Sequence, residues 1–83
     1  MNYAVIVTDQ VRRCVETLPD ESKRICSSAH KILSEDPYRG HAMLGKLEGL
    51  RRFKVGPFRL IYEVDEENKI ITTVMITCQN GNR

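Results

Sequence analysis

The sequence predicts an α+β fold with its elements in the order β-α-α-β-β-β. Three observations carry that expectation. The chain opens on a run of aromatic and β-branched residues, continues through two stretches whose apolar residues recur at helical spacing, and finishes from Arg52 to Thr77 in alternating or β-branched runs separated by polar turns.

Asn2 to Thr8 reads N-Y-A-V-I-V-T and predicts the first strand. Thr8 or Asp9 can cap the helix that follows, because a short oxygen-bearing side chain satisfies the free N–H groups of a first turn. Val11, Cys14, Val15 and Leu18 fall at i, i+3, i+4 and i+7, which makes one apolar stripe over Asp9 to Leu18, and Pro19 ends it. Asp20 and Glu21 open a second helix where negative charge complements the helix dipole. Its apolar face is Ile25, Ala29, Ile32 and Leu33, and it runs to Ser34 or Glu35, where Asp36-Pro37 prevents continuation. The two helices are expected to run antiparallel.

Residues 36–50 hold Pro37, Gly40, Gly45 and Gly49 without a sustained period, and predict a connector with one short turn around Met43 to Leu47. Arg52 to Val55 then alternates basic and apolar residues, Gly56-Pro57 makes a tight turn, and Phe58 to Val64 returns in the opposite direction as a hairpin. Asp65 to Lys69 is a second polar turn, its glutamates read as solvated, and Ile70 to Thr77 completes a meander. A period of two sets Arg52 and Lys54 on one face of the sheet and Phe53 and Val55 on the other, and it turns Phe58 and Tyr62 toward the core.

The 83 residues, 41% hydrophobic and 29% charged, describe one globular domain over residues 1–83, able to bury roughly 60 to 65% of its unfolded surface. Function is therefore expected on the surface. No run approaches the roughly 18 apolar residues of a membrane span, and Met1 to Thr8 is too short and uncharged for a signal peptide, so the expected location is the cytoplasm. Cys14, Cys26 and Cys78 form no CxxC pair and are expected reduced, the first two as small core hydrophobes. Without an HxxxH, a CxxC or a close acidic cluster, no metal is expected.

Charge is distributed unevenly. Residues 39–59 carry six basic side chains, Arg39, Lys46, Arg51, Arg52, Lys54 and Arg59, against Glu48 alone, a net +5 within a chain whose total is +2. A local basic patch is the electrostatic footprint of a polyanionic partner such as nucleic acid.

The segment K-L-E-G-L-R-R-F-K-V-G-P-F-R-L-I-Y-E-V, Lys46 to Val64, resembles the signature of the RelE/ParE toxin superfamily, roughly L-x-G followed by R-x-R/K-V-G-x-Y/F-R-x-x-Y-x-V. A weaker likeness extends over nearly the whole chain. The resemblance implies two N-terminal helices packed on a curved antiparallel sheet, and a toxin of a type II toxin-antitoxin system neutralised by a RelB-like antitoxin. In the RelE branch such toxins cleave mRNA in the ribosomal A site, and the compact length is more RelE-like. The alternative is a member of the same fold without nuclease activity: a ParE-like inhibitor of DNA gyrase, or a catalytically weakened antitoxin-binding homologue.

RNA cleavage of this type needs a base for the 2′-hydroxyl proton, positive charge for the phosphorane, and an acid for the leaving 5′-oxygen, and no metal or small-molecule cofactor. By the resemblance, Arg52 and Lys54 occupy the basic positions before the turn and Arg59 the arginine after it. Arg59 would clamp the scissile phosphate with its planar fork. Lys54 would be the base, since an arginine is a poor base at physiological pH. Arg52 would orient the backbone, with Lys46, Arg51, Gln79 and Arg83 as further RNA contacts. The family commonly carries an arginine and then a tyrosine near its C-terminus; Gln79 stands at the arginine position here, and no tyrosine follows. A different acid, partial substitution by Arg83, or weakened cleavage each fits that departure. His30 and His41 are the remaining candidates for acid–base work, though neither fits well: His30 reads as a surface or boundary residue of the second helix, and His41 lies in the connector near the basic segment, within approach of an RNA backbone.

Overall fold

The computed structural model describes residues 2–78. In chain order these form β1 (Ala4–Val7), α1 (Asp9–Glu16), α2 (Asp20–Glu35), β2 (His41–Ala42), β3 (Arg51–Val55), β4 (Phe58–Asp65) and β5 (Ile70–Cys78), with a 3₁₀ turn at Gly45–Leu47. The expected order is present, with a two-residue strand, β2, added inside the connector. The five strands make one sheet in the order β1-β5-β4-β3-β2.

Strands β2 to β5 run antiparallel to their neighbours, whereas β1 lies parallel to β5, Ala4 opposite Ile70 and Val7 opposite Thr73. The sheet is therefore mixed. The helices and the whole meander separate β1 from β5 in sequence, so no hairpin sets their relative direction.

Thr8 caps α1 by accepting a hydrogen bond from the Val11 N–H at 3.3 Å. The helix stops at Glu16, two residues before the end of its apolar stripe, because Pro19 disfavours helical backbone at the residue before it. So short a helix buries only Val11, and Cys14 is exposed rather than part of the core. Helix α2 packs Cys26, Ala29 and Leu33 against Phe58, Leu60 and Tyr62 of β4 and Ile71 of β5, with Ile25 at the margin. His30 stands at that boundary facing inward, its Nε2 2.8 Å from the hydroxyl of buried Thr73. Burial lowers the His30 pKa, opposed by a backbone hydrogen bond to Cys26. Ile61 pairs with Met75 but Tyr62 with Thr73, so Val74 is the extra residue of a β-bulge. Among the described residues, no helix is long and apolar enough to cross a membrane.

Two polar contacts tie the connector down. Tyr62, fully buried in β4, donates its hydroxyl to the Pro37 carbonyl at 2.7 Å and accepts from the Gly40 N–H at 3.1 Å. Gly40 has no room for a side chain, since a Cβ there would stand 2.6 Å from both the Tyr62 hydroxyl and the Arg52 carbonyl. At the β4–β5 turn, Glu66 is not simply solvated: Lys69, Tyr38 and Tyr3 all donate to its carboxylate, drawing together that turn, the connector and the residue before β1. Those bonds, Lys69's first, hold the Glu66 carboxyl at about 2.

Removing the phenolic oxygen with Tyr62→Phe strands a buried carbonyl and a buried N–H, and should lower stability by about 1–3 kcal/mol in urea unfolding. An unchanged midpoint would show that the connector is held elsewhere. Because the Glu66 pKa is depressed from 4.5 to about 2, its contribution is complete above pH 4.5 or so and disappears as pH falls toward 2. Glu66→Gln should flatten the stability profile across that window, and an equal slope in both proteins would contradict the role given to Glu66.

Candidate nucleic-acid interface

The basic site is built on the hairpin of β3 and β4. Gly56-Pro57 is a two-residue loop closed by the pair Val55 and Phe58, and Gly56 has φ +55, the left-handed backbone that the first position of such a loop requires. The next pair out is Lys54 opposite Arg59. Directly paired residues share a face with Cβ atoms about 4.5–5.5 Å apart, and like charges so placed are destabilising. Stability alone does not favour this pair, and local violations of that kind gather at functional sites.

The register extends the site across the face turned away from the helices. One row runs His41, Arg52, Ile61, Met75 through β2, β3, β4 and β5, and the next runs Lys54, Arg59, Thr77. Arg52 and Lys54 are exposed and Arg59 is partly exposed. Met75 is 52% exposed, and Ile6 on β1, at 49%, adds apolar surface. Among the described residues the two ion pairs are Arg12 with Asp9 and Lys69 with Glu66, and neither engages the basic cluster. Along β4 the nearest acid on this face is Glu63, four residues or roughly 13 Å from Arg59. An RNA phosphate would thus meet two or three cations with no protein carboxylate to displace.

Arg51 belongs elsewhere. Alternation turns it to the opposite face, where its Nη2 donates to the Gly40 carbonyl at 2.7 Å and to the Tyr38 carbonyl at 3.3 Å. Its guanidinium lies 5.1 Å from the centroid of the Tyr38 ring, and its Nε is enclosed without a partner. Placed this way, Arg51 fastens the connector, and the structure separates it from Arg52, Lys54 and Arg59. Lys46 is exposed on the 3₁₀ turn, outside the strand register of the cluster. Gln79 and Arg83 lie outside the described residues. His41, which sequence reasoning considered for acid–base work only from its place near the basic segment, is brought onto the face of the cluster through a pairing that no local period encodes.

A family model described as the ParE toxin of the type II toxin-antitoxin system, parDE, matches residues 2–81. The toxin-antitoxin complex RelBE2 from Mycobacterium tuberculosis contains a similar chain, 25% identical with a TM-score of 0.87, covering 96% of this chain and 95% of that one. The archaeal RelE-RelB complex from Pyrococcus horikoshii OT3 is similar at 25% identity and a TM-score of 0.79, covering 99% of this chain and 100% of the other. The isolated RelE toxin of E. coli, at 12% identity and a TM-score of 0.80 over 98% of this chain and 88% of that one, shares the fold. No curated protein matches the chain.

The two neighbouring arginines should separate cleanly in unfolding experiments. Arg51→Ala removes charge-assisted bonds to two carbonyls and should cost about 1.5–3 kcal/mol. Arg52→Ala should stay within about 0.5 kcal/mol of the parent. Equal destabilisation by both would contradict the division of roles between the faces.

Proposed function

This chain belongs to the ParE toxin family of type II toxin-antitoxin systems, and from its likeness to RelE toxins within that superfamily we propose that it arrests translation by cleaving mRNA in the ribosomal A site. The observation that carries this reading is the Lys54–Arg59 pair, two like charges held opposite each other across a tight hairpin with Arg52 alongside. A scissile phosphate supplies the negative charge that this arrangement lacks.

Arg59 presents two parallel N–H donors to the phosphate oxygens and stabilises the charge that grows on them in the phosphorane. Lys54, acting from its neutral amine form, takes the 2′-hydroxyl proton as the 2′-oxygen attacks phosphorus, and Arg52 orients the chain by its adjacent phosphate. The P–O5′ bond then breaks, leaving a 2′,3′-cyclic phosphate upstream and a 5′-hydroxyl downstream. No metal or small-molecule cofactor enters that step. Ribosome-bound mRNA as substrate places the action in the cytoplasm. An antitoxin of the RelB type is the protein partner, a reading supported by similar toxins found in complexes with RelB.

Purified toxin added to ribosomes programmed with a defined A-site codon should cut within that codon, and Arg59→Ala should slow the cut by at least about 10²-fold. Intact mRNA from folded toxin that still arrests growth would overturn the nuclease reading and direct the search to another target, DNA gyrase first.

A further inference from the structure

The cleavage chemistry needs a proton donor for the leaving 5′-oxygen, and neither Arg52 nor Arg59 releases a proton at neutral pH. The structure brings a histidine to their face. His41 in β2 lies directly opposite Arg52, so its side chain shares the face of Lys54 and Arg59 and stands on the diagonal from Lys54, at about 7–8 Å between backbones.

That separation suits a pair of groups working on the two ends of one phosphate. In an in-line displacement the 2′- and 5′-oxygens lie on opposite sides of phosphorus. Adding a hydrogen bond of roughly 2.8 Å at each end to an oxygen-to-oxygen span of about 3–3.5 Å gives an upper limit near 9 Å between base and acid. With backbones about 7–8 Å apart and both side chains on one face, a lysine stem and an imidazole are each long enough to bring their nitrogens within that limit.

His41 is also held in place on both sides, unlike a histidine in a free loop. The preceding residue, Gly40, gives its N–H to the Tyr62 hydroxyl and its carbonyl to Arg51. Just beyond β2, the Met43 N–H donates to the Leu50 carbonyl at 2.9 Å. Two buried contacts of the connector therefore serve to fix the backbone of an exposed two-residue strand. Imidazole is the side chain best suited to give up a proton near neutral pH.

Resting on the nuclease reading above, we propose that His41 is the general acid of the cleavage, protonating the 5′-oxygen as the P–O5′ bond breaks. The proton taken from the 2′-hydroxyl goes to Lys54 and the proton delivered to the leaving oxygen comes from His41, so charge and protons balance, and both groups are restored by exchange with water.

The test compares the parent toxin with His41→Gln on programmed ribosomes carrying two mRNAs. One has a normal linkage at the A-site codon, and the other has sulfur in place of the bridging 5′-oxygen. A thiolate leaves without protonation, so an acid is needed only for the oxygen substrate. His41→Gln should slow cleavage of the normal linkage by about 10²–10⁴-fold and cleave the sulfur-bridged linkage at the parent rate. Equal losses on both mRNAs would overturn the proposal and make His41 a binding or structural residue. Parent-like cleavage of the normal linkage by the variant would overturn it as well. If the parent protein cleaves neither mRNA, the nuclease reading itself fails and the acid role falls with it, an outcome distinct from the other two.

Discussion

The hydroxyl of Tyr62 is the point at which the sheet takes hold of the connector between α2 and β3. It donates to Pro37 and accepts from Gly40, and it does so from a fully buried position in the central strand β4. Residues 36–50 contain one proline, Pro37, and three glycines, and a segment of that kind loses about 1–2 kcal/mol of backbone entropy per ordered residue. Without buried bonds of this sort it would not hold one shape. Arg51 adds a second fastening from β3 by reaching the carbonyls of Tyr38 and Gly40. Because the connector is fixed at Gly40, β2 can form next to it, and because β2 forms, His41 comes into line with Arg52.

The same constraint explains how the five residues of β3 divide between two faces. Arg51, Phe53 and Val55 are partly buried on one face while Arg52 and Lys54 are exposed on the other. The basic segment of the chain is therefore not one uniform patch. One of its arginines is consumed in holding a loop, and Arg52, Lys54 and Arg59 remain together on the face that the helices leave open. Holding Lys54 opposite Arg59 works against folding. The core of α2 against β4 and β5, with Leu33, Leu60, Tyr62 and Ile71 fully enclosed, outweighs it.

What the chain reveals in its sequence follows how local each cause is. The helices, the hairpin and the outward set of Arg52 and Lys54 rest on periods of 3.6 and 2 within a few residues, and the structure carries them. The helix C-terminus after Glu16 was displaced from Leu18 by a proline effect that acts one residue ahead of the proline. Cys14 had the right spacing for the core, but a helix of eight residues does not reach far enough over the sheet to cover it. The parallel pairing of β1 with β5, the bulge at Val74, the gathering of Tyr3, Tyr38 and Lys69 on Glu66, and the pairing of His41 with Arg52 all join residues distant in the chain. None of these leaves a period or a motif behind. The opposite duties of Arg51 and Arg52 are a mixed case: alternation separates them, but only the fold shows what lies on Arg51's side.

On the nuclease reading proposed above, the basic face lets a 2′-hydroxyl attack its own phosphate, and the products record whether that happens. The most direct measurement is the chemistry of the new RNA ends formed when purified toxin acts on programmed ribosomes. A 2′,3′-cyclic phosphate on the upstream fragment and a 5′-hydroxyl on the downstream one are the predicted result. A 3′-hydroxyl facing a 5′-phosphate would contradict it, because water rather than the 2′-oxygen would then be the nucleophile and Lys54 would have no proton to take from the ribose.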